Sequence, residues 1–273
     1  MAPAWSLIKG GAFPVPLRPS STGLVQWTRS DVGLTISPAT RVAAWADQSG
    51  HGQDWQQTGG NPGNAPYVLG DDIDGNPLIT FGVGGDANKS FNTAAQFTDR
   101  FGSPMDGAHA RSVLAVLKPI FSGAYNRTGG PVWSANSWWS EFFLDPTGIF
   151  GPVNGAYAWV DNNGSWGDAN QFTPVVSGGA GPYDSVPTLA EYFSPGRPAL
   201  GFKINDVDVP LAPLTMHGAA GPASAAQLSD SSSLAFLGGL TEVLVYDFDL
   251  RTDATAYAKT LAYLASRYPS IFP

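Results

Sequence analysis

Most of the chain alternates short runs of apolar, β-branched and aromatic residues with clusters of glycine, proline, asparagine and aspartate. That texture predicts many short strands joined by turns. Residues 113–118 (VLAVLK) are almost continuously apolar, the pattern of a strand covered on both faces. Residues 77–83, 156–161, 189–193 and 200–206 read the same way, and Asn205-Asp206 lies where a tight hairpin turn is expected. Residues 241–247 (TEVLVYD) form the strongest strand pattern. Helical period occurs clearly once: Tyr257, Leu261, Leu264 and Tyr268 are spaced 4, 3 and 4 residues apart, one face of a helix. Thr252 or Asp253 can cap its start and Pro269 stops it. Many strands followed by one helix predict an all-β sandwich with a short C-terminal helix, not a parallel α/β fold.

Residues 1–22 break this texture. Pro14, Pro16 and Pro19 favour extended backbone without regular pairing. The expected organisation is an extended Pro/Gly-rich docking arm over 1–22, lying on its own domain or on a neighbouring subunit, and one sandwich over 23–273. Residues 216–233 (MHGAAGPASAAQLSDSSS) read as a mobile or partner-contacting surface loop. Composition agrees with a folded, loop-rich domain: charged residues are only 13%, while 43% are hydrophobic and 12% aromatic, enough for a real core. A net charge of -8 without a basic cluster argues against nucleic acid and anionic membrane as partners. With no cysteine, disulfides and thiol chemistry are excluded. The N-terminal residues lack a basic region followed by an apolar core, so no signal peptide is expected. No apolar run approaches the roughly 20 residues of a membrane span.

Four segments in order, 23–35 (GLVQWTRSDVGLT), 42–55 (VAAWADQSGHGQDW), 65–68 (APYV) and 73–82 (IDGNPLITFG), resemble laminin-G-like, concanavalin A-like jelly-roll domains of bacterial and phage proteins. The closing LGGLTEVLVYDFDL and the helix ending LAYLASRY resemble the last strand and C-terminal helix of those domains. The resemblance covers about residues 23–118 and 200–268 and leaves 119–199 unmatched. It implies a concanavalin A-like sandwich, a fold that hosts lectins, glycosidases, adhesion modules and virion components, so it does not fix function. In its most specific piece, WADQSGHGQD, Trp45 is expected as a core anchor. Asp47, Ser49 and Asp54, with Gly50 and Gly52, are expected to form a tight polar turn, the alternative being a ligand or Ca²⁺ role for Asp47 or Asp54.

Catalytic patterns are scarce. The paired acids Asp206/Asp208, Asp247/Asp249 and Glu141/Asp145 lack the third acid of a retaining glycosidase strand, and no catalytic dyad is assigned. His51, His109 and His217 have no zinc spacing. A Ca²⁺ ion is compatible with Asp71, Asp72 and Asp74, or with Asp86 and Asn88, but the spacing lacks a signature and no cofactor or metal is assigned. One constellation does stand out. Trp133, Trp138, Trp139, Trp159 and Trp166 are five of nine tryptophans within 34 residues, interleaved with Asn136 and Asp168 among other polar residues. Aromatic rings cover the C–H faces of sugars while amides and carboxylates bond their hydroxyls. The candidate carbohydrate-binding set is Trp138, Trp139, Glu141, Asp161, Asn162, Asn163 and Trp166. Core packing and contact with another subunit remain open for the same tryptophans.

The function expected from these readings is non-enzymatic. It is that of a structural and recognition protein on the surface of a phage or phage-derived gene transfer agent: a head spike, fibre or decoration subunit. Its expected partners are other particle proteins through the arm, further copies of itself, and cell-surface polysaccharide. A purely capsid- or tail-stabilising subunit and, less favoured, a glycoside hydrolase are the alternatives.

Overall fold

The computed structural model describes residues 17–37, 41–57, 66–81, 90–93, 96–105, 109–119, 131–134, 141–145, 156–161, 170–172, 186–194, 201–208, 226–228, 236 and 238–272. Within them the chain is almost entirely antiparallel sheet, and the one α-helix, α1 (Ala254–Arg267), comes last. The first sheet runs β1 (Leu24–Arg29), β17 (Gly238–Tyr246), β8 (Arg111–Pro119), β13 (Thr188–Ser194), β14 (Gly201–Ile204), β15 (Val207–Asp208). The outer edge of β17 is shared. Gly238 to Leu240 pair with β6 (Asn76–Phe81), and beyond a bulge at Thr241 the strand pairs with β1.

The second sheet runs β2 (Leu34–Ser37), β3 (Arg41–Trp45), β4 (Trp55–Gln57), β7 (Phe91–Thr93), β16 (Gln227–Leu228), β9 (Pro131–Ser134), β10 (Glu141–Asp145), β11 (Ala156–Asp161), β12 (Asn170–Phe172). β5 (Tyr67–Ile73) pairs with β6 and touches β3 at Arg41, which curls one sheet into the other.

Side-chain alternation sorts the core into two layers. Val113, Ala115, Leu117, Val243 and Val245 face the second sheet and pack with Trp45, Trp55, Phe91 and Leu228. Their neighbours Leu114, Val116, Leu189, Phe193, Leu244 and Tyr246 face outward and are covered by Ala256, Tyr263, Leu264 and Tyr268 of the helical end. That explains why β8 and β17 read as unbroken apolar runs: both of their faces are buried. The sandwich with a C-terminal helix predicted by the pattern is the fold observed.

Local chemistry sets the ends. Asp253 caps α1 by accepting from the Ala256 amide. The helical stripe is centred on Ala256, Thr260, Tyr263 and Leu264, with Tyr257 and Leu261 only partly buried at its margin. The face predicted from Tyr257 and Leu261 is therefore displaced by a fraction of a turn. Asn205 (φ 51°) and Asp206 (φ 61°) form the predicted hairpin turn between β14 and β15, in the doubly left-handed geometry that such two-residue turns require. The segment 216–233 departs from the loop expectation at its centre. Ala226 and Leu228 are fully buried, and Gln227-Leu228 join β7 to the β9 meander, so small residues there serve packing. At the end of the N-terminal arm, Ser20 is buried; its amide donates to Thr260 and its carbonyl accepts from Tyr246.

Candidate functional site

The WADQSGHGQD segment is a structural knot. Trp45 and Trp55 are fully buried, and the Trp45 indole donates to the Arg29 carbonyl at 2.7 Å. Asp47 takes four donors: Trp27 and Ser49 amides on one oxygen, the Ser49 hydroxyl and the Gln53 amide on the other. Asp54 in turn accepts from the Asp47 amide at 2.8 Å. With its lone pairs committed to protein donors, Asp47 pins the turn to β1 rather than reaching outward. Asp206, Asp247 and Asp249 are likewise engaged by protein groups. Asp206 bonds Lys203 at 2.8 Å, Asp247 holds the Arg100 amide, and Asp249 caps the short 3-10 turn Leu250–Thr252. Asp72 accepts from the Gly75 amide, and Asp74 takes the Ser270 amide and hydroxyl. Among the described residues no three histidine, aspartate or glutamate side chains converge as metal ligands; Asp86 and Asn88 lie outside those residues.

Of the predicted carbohydrate-binding set, Trp138, Trp139, Asn162, Asn163 and Trp166 lie outside the described residues. Glu141 opens β10 and Asp161 closes β11. The backbone register adds what the sequence could not show. Ser134 pairs with Glu141, Glu141 with Val160, and Asp161 with Asn170. The segments 135–140 and 162–169, which carry the three tryptophans and the two asparagines, therefore leave the β9–β12 meander from the same end. The same row continues across the sheet through Gln227, Asn92 and Gln56, a line of amide side chains that ends at the roots of those two segments.

Two carboxyls that sequence reasoning passed over sit on the outer face of the first sheet, under α1. Glu242 is fully buried. Its Oε1 accepts from the Trp27 indole and the Tyr263 phenol, both at 2.6 Å. Its Oε2 accepts from the Tyr268 phenol at 2.6 Å and from Arg267 Nε at 3.1 Å. Arg267 also reaches Asn76 and Asp31. Burial pushes the Glu242 carboxyl up, and the Arg267 guanidinium with the three neutral donors opposes it. An indole N–H and a guanidinium can only donate, so each carboxyl oxygen faces an obligatory donor, an arrangement that favours the ionised form against the cost of its burial. Burial and the Glu242 charge together push the Tyr263 and Tyr268 phenols far above their ordinary value.

Glu191, on β13, is also fully buried. It accepts from the Asp206 amide at 3.0 Å and contacts the Tyr257 phenol at 2.7 Å. Burial raises its carboxyl to about 7; the Tyr257 bond opposes this and the Asp206 charge adds to it. A charged residue inside a continuous apolar strand run, as in TEVLVYD and LAEYF, was the available signal for both groups.

No family model matches the chain, and no curated protein matches it either. Solved structures do. The fold is similar to the binding domain of Paraclostridial Mosquitocidal Protein 1, with a TM-score of 0.54 and 10% identity, covering 89% of this chain and 52% of that one. It is also similar to domain 4 of AbnA, a GH43 extracellular arabinanase from Geobacillus stearothermophilus solved with arabinotriose: TM-score 0.51, 15% identity, covering 87% of this chain and 96% of that one. A third likeness is to Trypanosoma rangeli sialidase in complex with sialic acid, with a TM-score of 0.53 and 10% identity over 92% of this chain and 34% of that one. The chain thus spans about half of the toxin chain, a third of the sialidase, and nearly all of the arabinanase domain. At these identities the likeness shows the fold alone, a β-sandwich.

Proposed function

We propose that this chain is a non-enzymatic glycan-recognition domain displayed on the surface of a phage or phage-like particle, where it contacts cell-surface polysaccharide. One observation carries the recognition role: the two tryptophan- and asparagine-bearing segments start from one end of the β9–β12 meander. A rigid sheet that presents aromatic and amide side chains from adjacent loops is how a binding site for a sugar chain is built. The company of the fold supports the reading. One neighbour is named as a binding domain, another was solved with arabinotriose and a third with sialic acid. The particle setting rests on the resemblance to phage-borne laminin-G-like domains. The expected attachment is through the N-terminal arm to other particle proteins and further copies of the chain.

The test is a glycan-array screen of the purified protein beside a Trp138→Ala/Trp139→Ala/Trp166→Ala variant of unchanged fold. Binding to at least one polysaccharide class, lost in the variant, is expected. A well-folded wild type that binds nothing on the array overturns glycan recognition in favour of a structural subunit whose tryptophans are assembly contacts.

A further inference from the structure

The Tyr257 hydroxyl lies 2.7 Å from Glu191 Oε2 and 2.8 Å from Asp206 Oδ1. Both are hydrogen-bond distances between oxygens, and each needs a proton between its two atoms. A phenol brings one proton, and two ionised carboxylates bring none. A second proton must therefore sit on one of the two acids. Asp206 is the wrong one: its side chain is 43% exposed and bonded to the Lys203 ammonium at 2.8 Å. Glu191 is fully buried, and among the described residues no cation is hydrogen-bonded to it.

We propose that Glu191 is a carboxylic acid whose proton closes a relay, Glu191 to Tyr257 to Asp206, and that this relay is a pH-sensitive clasp between α1 and the β14–β15 hairpin. In the closed state Glu191 donates to the Tyr257 oxygen, and Tyr257 donates to the Asp206 carboxylate. Loss of the Glu191 proton leaves two anions competing for one phenolic hydrogen, so one of the contacts opens. The charged surroundings favour this order of events. Lys203, the register partner of Glu191 on β14, is held above its ordinary value by Asp206 despite the cost of its own burial. Asp208 pairs with Lys203 from β15, and Arg251, stacked on Phe193, interacts with both Asp208 and the Tyr257 side. On the other side of Glu191, β8 offers only Leu114. Lys203 thus bonds Asp206 and acts on Glu191 only through space, where its charge opposes the effect of burial without overcoming it, and β8 leaves Glu191 an apolar neighbour. Burial and the two carboxyls also keep the Tyr257 phenol far above its ordinary value, so it is not the group that ionises. Burial lifts Glu191 to about 7, which puts opening of the clasp across neutrality.

The chain contains three glutamates, Glu141, Glu191 and Glu242, so the test can be read one carboxyl at a time. The full-length protein, labelled with ¹³C at the glutamate side-chain carboxyl, is titrated by NMR from pH 4 to 9. One of three resonances is expected to titrate near neutrality and to vanish in Glu191→Gln. The Tyr257 ring resonances should move with the same midpoint. If Glu191→Gln does not fold, Glu141→Gln, which removes one resonance, and Tyr268→Phe, which shifts the Glu242 resonance by removing its donor, identify the other two and leave the third as Glu191. A Glu191 resonance that titrates in the ordinary carboxylate range overturns the proposal. So does a near-neutral midpoint that leaves the Tyr257 ring unmoved.

Discussion

Glu242 and Glu191 lie on the same face of the same sheet, on the two strands that flank β8, and both are fully covered. Yet the donors around Glu242 favour its charge, while the clasp proposed above keeps a proton on Glu191. Burial acts on both in the same direction, so burial does not decide the difference. The donors do. Glu242 faces two groups that can only donate, one of them a guanidinium, and two phenols as well. Glu191 has one phenol, shared with an anion, and one backbone amide. A buried carboxyl is ionised when its neighbours return the hydration it lost. Around Glu242 they do; around Glu191 they do not.

The largest expected effect comes from removing the satisfied charge. Glu242→Ala leaves three donors without their acceptor and Arg267, whose side chain is 17% exposed, with only Asp31 and Asn76 as partners, and breaking a buried pair costs about 3–5 kcal/mol. Urea denaturation at a fixed pH measures it. A loss below about 1 kcal/mol would mean that the network only fills space and that the contrast with Glu191 is not one of charge.

This contrast was not legible in the sequence, although much of the fold was. β8, β17, β13 and α1 stand out because burial on both faces, or on one helical stripe, writes itself as local periodicity. The Asn205-Asp206 turn also relies on residues close in sequence, as do the bonds within the WADQSG knot, although Trp27 and Arg29 reach that knot from β1. The glutamate networks do not. Glu242 is assembled from Trp27, Tyr263, Arg267 and Tyr268, and Glu191 from Asp206 and Tyr257. Nothing local in TEVLVYD or LAEYF says that a donor will arrive. The candidate binding residues were found from composition alone, because no period marks a binding residue. That the segments carrying most of them start at one end of the meander emerged only from register.

The next effect separates the two acids by pH. Glu191 has a folded value raised to about 7 from an ordinary 4.5. Between those values the folded state keeps a proton that the unfolded chain has released, so stability falls as pH rises. The contribution is fully present below about 4.5, is lost progressively up to about 7, and is flat above. A shift of this size corresponds to about 3 kcal/mol. Asp31, whose carboxyl the Arg29 bond and the Arg267 and Arg29 charges hold down against burial, acts with the opposite sign and below this window. Glu191→Gln, which cannot ionise, should gain on wild type in urea midpoints measured from pH 5 to pH 8. Parallel pH curves for the two proteins would make Glu191 a second Glu242 and erase the comparison.

The smallest effect compares the two kinds of phenol at pH 6. Tyr268→Phe removes a donor from a fully buried carboxylate, and hydrogen bonds to charged groups contribute about 1.5–3 kcal/mol. Glu242 keeps three other donors, so the lower end of that range is expected. Tyr257→Phe removes a bond from a neutral acid and another from Asp206, an acceptor exposed enough for water to replace the phenol. Its cost should be that of an ordinary bond, about 0.5–1.5 kcal/mol. The ordering is the informative quantity, because both substitutions delete one oxygen from the same helical segment and leave a ring of the same size. If Tyr257→Phe costs as much as Tyr268→Phe at pH 6, the carboxyl behind it is charged, and donor count does not set the protonation of buried acids on this sheet.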